Sequence, residues 1–95
     1  MDGAYVVAYD ISDDKRRNKV FDILLDTGDH VQYSVFVCEL SRQELATLRG
    51  ELLEAIHVDK DQVLLLRVGP ELASLEGALE CLGRPYEPMC RVQVV

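Results

Sequence analysis

Two helical segments alternating with apolar strands predict an α+β domain, a ferredoxin-like βαββαβ sandwich with an extra C-terminal helix and strand, paired sheet to sheet as a homodimer. Three features of the sequence carry that prediction. Residues 4–9 form an unbroken run of β-forming side chains, Ser41-Arg42-Gln43-Glu44 reads as a capping box ahead of a helical stripe, and residues 62–68 form a second, nearly all-apolar strand.

The first strand closes at Asp10. Successive strand side chains alternate, so Tyr5, Val7 and Tyr9 share one face while Val6, Ala8 and Asp10 share the other. Ser12, followed by Asp13 and Asp14, predicts a helix start, with a serine cap and carboxylates where the helix dipole favours them. This helix should reach Asp26 or Thr27 and stop at Gly28, a residue suited to a left-handed terminal position. Val20, Phe21, Ile23 and Leu24 form its inward stripe, and at least one of Arg16 and Arg17 extends that stripe toward the N-terminus.

Residues 30–40 alternate and are rich in β-formers. Val31, Tyr33, Val35 and Val37 lie on one side, with Gln32, Ser34, Phe36 and Cys38 on the other. No Gly, Pro, Asn or Asp interrupts residues 31–38. Two strands here would be joined by a bend or bulge near Gln32 to Ser34 and not by a standard hairpin turn. Leu45, Leu48, Leu52, Ala55 and Ile56 then recur at helical spacing, and Asp59 to Asp61 supply a polar turn before the strand at 62–68.

Residues 1–68 therefore make the core of a single domain. Past Gly69-Pro70, the leucines at 72, 75, 79 and 82 predict a third helix over residues 71–82, ended by Gly83. Pro85 and Pro88 bracket a linker to a final strand at 89–95, which could add to a partner's sheet edge. Helices on one face of the sheet leave the other bare. Each apolar side chain left wet there forgoes about 1.5–3 kcal/mol of burial, and a second copy, face to face, recovers it. In the alternative arrangement, a monomer, the third helix covers that face.

Composition narrows the function. The chain is 95 residues long and 48% hydrophobic, without the run of about 18 apolar residues that crosses a bilayer and without signal-peptide order, so a cytoplasmic protein is expected. Cys38, Cys81 and Cys90 form an odd set with no C-x-x-C pair, read as free thiols. A net charge of −7 argues against a broadly basic nucleic-acid surface, yet Lys15, Arg16, Arg17 and Lys19 gather in one short stretch. Asp10 precedes that stretch at a strand end. A phosphate could dock at the helix start, and Asp10 could coordinate Mg²⁺, which takes one or two carboxylates and keeps several waters. The plainer reading is that Asp10, Ser12, Asp13 and Asp14 only start a helix.

The run from Tyr9 through Val20, Y-D-I-S-D-D-K-R-R-N-K-V, followed by Leu24, Gly28 and V-Q-Y-S-V-F at residues 31–36, resembles the CRISPR-associated protein two family over residues 4–68. The resemblance implies a ferredoxin-like homodimer in which two copies of Asp10 face each other and bind a divalent metal. It further implies metal-dependent endonuclease activity on RNA or duplex DNA, with Tyr9 beside the ligand, and a place as the bridge between adaptation integrase dimers. By the same resemblance Arg16, Arg17 and Lys19 would touch phosphates, and Ser34 and Phe36 would line the site. His30 stands where the family often has arginine, and Val37 where it often has glutamate. A non-catalytic scaffold binding DNA and the integrase is the alternative function, and a small-ligand regulatory domain on the same fold is a more distant one.

Overall fold

The computed structural model describes residues 3–68 and 79–86. In chain order the elements are β1 (Gly3–Asp10), α1 (Asp14–Thr27), β2 (Asp29–Gln32), β3 (Val35–Leu40), α2 (Arg42–Ala55), β4 (Gln62–Arg67) and β5 (Leu79–Gly83). They build one five-stranded sheet in the order β2-β3-β1-β4-β5, with every neighbouring pair antiparallel. The first six elements are the ferredoxin-like βαββαβ unit.

β1 occupies the centre because it is apolar on both faces. Val7 pairs with Phe36 on β3 and Leu65 on β4, and all three are fully or almost fully buried. Val20 and Leu24 of α1 and Leu48 and Leu52 of α2 close over that face, and each such side chain contributes about 1.5–3 kcal/mol of burial. Sheet alternation places Val6, Ala8, Val35, Val37, Leu64, Leu66 and Cys81 on the other side. None of these is fully buried, and Val37 is 39% exposed.

The α2 start follows the sequence to the atom. The Glu44 amide donates to Ser41 Oγ at 3.1 Å, and the Ser41 amide donates to Glu44 Oε1 at 2.8 Å. α1 starts one residue later than expected. Its cap is Asp13, whose carboxylate accepts from the Arg16 amide at 2.9 Å, not Ser12. Gly28 ends α1 as expected, for a different reason. Its backbone is extended (φ −154°), and a Cβ there would lie 2.5 Å from both Cys38 Sγ and the Val37 carbonyl oxygen. Glycine is required here by the close approach of β3.

Two further readings change. β2 and β3 are joined by a two-residue turn, Tyr33-Ser34, with Gln32 paired to Val35, and a bulge falls between His30 and Gln32. Both a bulge and a tight turn are present, although no turn-type residue marks the spot. Tyr33 takes the positive φ, 42°, that the first position of such a hairpin demands.

The helix expected over residues 71–82 does not extend to its end: Leu79–Gly83 is a strand on the free edge of β4. Residues 71–78 lie outside the described part, as do Cys90 and the strand expected at 89–95. Leucines three apart fit a helix, but here Leu82 joins the core while Leu79 takes the opposite face, and β4 gains backbone partners along its edge. The salt bridge from Arg49 on α2 to Glu80, at 2.7 and 2.8 Å, ties β5 to the helical layer. Cys38 and Cys81 are free thiols.

Candidate functional site

β1 delivers Asp10 to the end of the sheet, on the same side as Val6 and Ala8 and away from the helices. Its side chain is 75% exposed, and Oδ2 accepts from Arg84 Nη2 at 3.0 Å. Arg84 is itself positioned by backbone. Gly83 turns the chain with φ 90° after β5, so that the Arg84 amide donates to the Asp61 carbonyl at 2.7 Å and Nε to the Lys60 carbonyl at 2.9 Å. A Cβ on Gly83 would lie 2.2 Å from that Asp61 oxygen, so no other residue fits.

Asp10, Ser12, Asp13, Arg16, Lys60, Asp61 and Arg84 line an open cleft of about 660 Å³. Asp61 forms its floor and is fully buried. Arg16 grips this carboxylate through Nε at 2.7 Å and Nη2 at 3.2 Å, and the His57 amide donates to it at 2.8 Å. Burial alone would raise the Asp61 pKa. Arg16 and the His57 amide together outweigh that and hold the carboxyl below its usual range. A larger concavity, about 770 Å³, lies elsewhere and carries Asp26, Glu39, Glu44 and Glu51, a lining that repels phosphate.

The predicted basic cluster divides by role. Arg16 is committed to Asp61. Arg17 is committed to the loop after β1, donating to the carbonyls of Ile11 and Ser12 at 3.2 and 3.1 Å and pairing with Asp14. Lys15 and Lys19 stay exposed. Ser34 lies with Tyr9, Arg17, Asn18, Phe21 and Tyr33 around a second cleft of about 320 Å³. Tyr9 is 7% exposed, and burial pushes its phenol up despite the nearby Arg17, so it keeps its proton near neutrality. Phe36, expected to line the site, is instead fully buried, packed against Tyr9, Phe21 and His30, and works as core.

Asp10 is a hard oxygen donor of the kind Mg²⁺ accepts, with Oδ2 shared with Arg84. Among the described residues no group of three or more His, Cys, Asp and Glu side chains could hold a metal. Sequence reading missed Arg84, Lys60 and Asp61. Nothing local signals Arg84, which meets Asp10 across 74 residues, and a buried Asp61 looks in sequence like one more polar turn residue.

The fold and cleft define a small ferredoxin-like protein with one exposed carboxylate at the end of its central strand, set among cationic side chains. Residues 3–72 match the model of the CRISPR associated protein Cas2 family, and the chain belongs to that family. Over 92 residues it is 38% identical to a CRISPR-associated endoribonuclease Cas2 of Rhodospirillum rubrum, covering 97% of this chain and 89% of the relative. A second such endoribonuclease, from Thermodesulfovibrio yellowstonii, is 46% identical over 59 residues, which is 62% of this chain and 65% of the relative. The crystal structure of a hypothetical protein from Thermus thermophilus superposes with a TM-score of 0.71 at 35% identity, covering 79% of this chain and 92% of that one. No helix among the described residues is long and apolar enough to cross a membrane.

Proposed function

We propose that the chain is a metal-dependent endonuclease of CRISPR adaptation that cleaves RNA phosphodiester bonds as a homodimer, with Asp10 as its metal ligand. The observation that carries this is the position of Asp10 on the sheet face that the helices leave uncovered, beside Val6, Ala8, Leu64 and Leu66. Two copies that bury this face against each other bring their Asp10 carboxylates to a common axis. A divalent ion held there would stabilise charge on a phosphate and supply a water nucleophile at neutral pH. Lys60 and Arg84 line the same cleft and attract the phosphate, while Arg17 holds the loop that carries Asp10 toward α1. The family and the names of its relatives support the RNA substrate.

The test compares RNA and duplex DNA incubated with the purified dimer, with and without Mg²⁺. Cleavage should need Mg²⁺ and disappear in Asp10→Ala. Equal cleavage by that variant would place the activity elsewhere or in a contaminant.

One observation favours a second reading, a scaffold that bridges integrase dimers on DNA without cutting. Both arginines of the basic cluster are engaged within the chain, and the net charge is −7. On that reading Asp10→Ala still supports spacer integration. A strict loss of integration in an intact complex rejects it.

A further inference from the structure

Two aspartate–arginine pairs line the cleft beside Ser12 and Asp13, and they differ in kind. The Asp61 carboxylate is buried and takes two nitrogens of Arg16 together with the His57 amide, so that pair is fixed. Asp10 is 75% exposed and meets Arg84 through a single hydrogen bond, Nη2 to Oδ2 at 3.0 Å. An exposed pair of this kind is weak and exchanges readily with another anion. Arg84 does not depend on it for its position. The Gln62 side-chain amide donates to the carbonyls of Arg84 and Pro85 at 3.1 and 3.0 Å, the Cys81 thiol donates to the same Arg84 carbonyl at 3.0 Å, and Arg84 Nε donates to the Lys60 carbonyl at 2.9 Å. Gln62 is also the β4 register partner of Asp10, so one row of the sheet sets both ends of the pair.

Arg84 therefore stays in the cleft whether or not Asp10 holds it. A guanidinium offers a phosphate two parallel N–H groups, a better match than the one bond that Asp10 accepts. A phosphate on Nη2 and the Asp10 carboxylate are like charges at one nitrogen, and they repel. We infer that Asp10 and a nucleic-acid phosphate compete for Arg84, so that the Asp10–Arg84 pair is a latch that opens as phosphate binds. The inference rests on the nucleic-acid reading above and adds its regulation. Asp10 lowers the affinity of the chain for nucleic acid until another cation, such as the divalent ion proposed above, takes up its charge.

The test is a double-mutant cycle on binding, without metal and without cleavage. A labelled RNA is titrated in chelator at low salt with wild type, Asp10→Ala, Arg84→Gln and the double variant. Asp10→Ala should bind the RNA about two- to fivefold tighter than wild type, the equivalent of one exposed ion pair. Arg84→Gln should bind it more weakly, and adding Asp10→Ala to that variant should leave the affinity where it was. Both positions are on the surface, so melting should shift by only a few degrees. If Arg84→Gln does not fold, Arg84→Lys takes its place in the cycle, and the gain from Asp10→Ala should then be smaller than in wild type. An equal gain in both backgrounds, which charge repulsion alone produces, overturns the inference, as does no gain from Asp10→Ala in the wild-type background. Four proteins that bind no RNA overturn the nucleic-acid reading and this inference with it.

Discussion

Asp61 accepts both arms of the Arg16 guanidinium, through Nε at 2.7 Å and Nη2 at 3.2 Å, across 45 residues of sequence. The pair pins the first turn of α1 to the start of β4 and forms the floor of the cleft beside Asp10. Its carboxylate has no contact with water, so its partners decide its charge.

Removing that carboxylate destabilises the fold. Asp61→Ala leaves the His57 amide and one face of Arg16 without a partner, at a cost of about 2–3 kcal/mol. Urea denaturation should show a lower midpoint with an unchanged slope. A midpoint equal to wild type would mean that water replaces the carboxylate without loss.

The same pair sets an acid limit. Asp61 is held below the usual carboxylate pKa in the folded chain, so the unfolded chain takes up a proton first as pH falls. Its contribution is complete above about pH 4, the ordinary aspartate range, and is lost as pH drops through the lower folded value. Asp61→Asn should therefore flatten the dependence of stability on pH below pH 4. Parallel curves for the two proteins would assign that dependence to other carboxylates.

If Asp10 holds a divalent cation as proposed, Arg84 competes with that cation for its Oδ2. Arg84→Gln frees Asp10 Oδ2, and Mn²⁺ should then bind about two- to fivefold tighter by calorimetry, the equivalent of one surface ion pair. Melting should shift by only a few degrees. Weaker Mn²⁺ binding would instead make Arg84 a support for the metal site.

Gly28→Ala tests the account of the α1 terminus. A methyl group would meet Cys38 Sγ and the Val37 carbonyl, and such overpacking costs about 1–3 kcal/mol. Adding Cys38→Ala should restore only part of the loss, because the carbonyl is backbone. Full recovery would show that the thiol alone sets the constraint.

Charge on the uncovered face separates association from folding. Val37→Glu and Leu64→Glu place carboxylates on the face opposite the helices. Circular dichroism should stay that of wild type while sedimentation shows a single chain. An unchanged dimer would move the interface to another surface.

Much of the architecture is legible in local patterns. The alternation of residues 4–10 placed Asp10 opposite Tyr9, and the spacing of Ser41 and Glu44 identified the α2 cap, because both depend on neighbours within a few residues. Short-range periodicity fails where two periods fit. The leucines at 79 and 82 suit a helix, and only the open edge of β4 made their segment a strand. The hairpin at Tyr33-Ser34 carried no turn signal because the sheet register imposes the turn on residues that do not favour it.

The sequence by itself determined the order of the elements from β1 to β4, the strand face that carries Asp10 and the family, all properties of local spacing and side-chain type. The tertiary structure decided which cations are engaged and which stay exposed. It drew Arg16 to Asp61, Arg17 to the loop after β1 and Arg84 to Asp10, and it buried Phe36. The physical reason is that an ion pair or a buried ring is settled by groups brought close through folding, and their separation along the chain leaves no pattern to read.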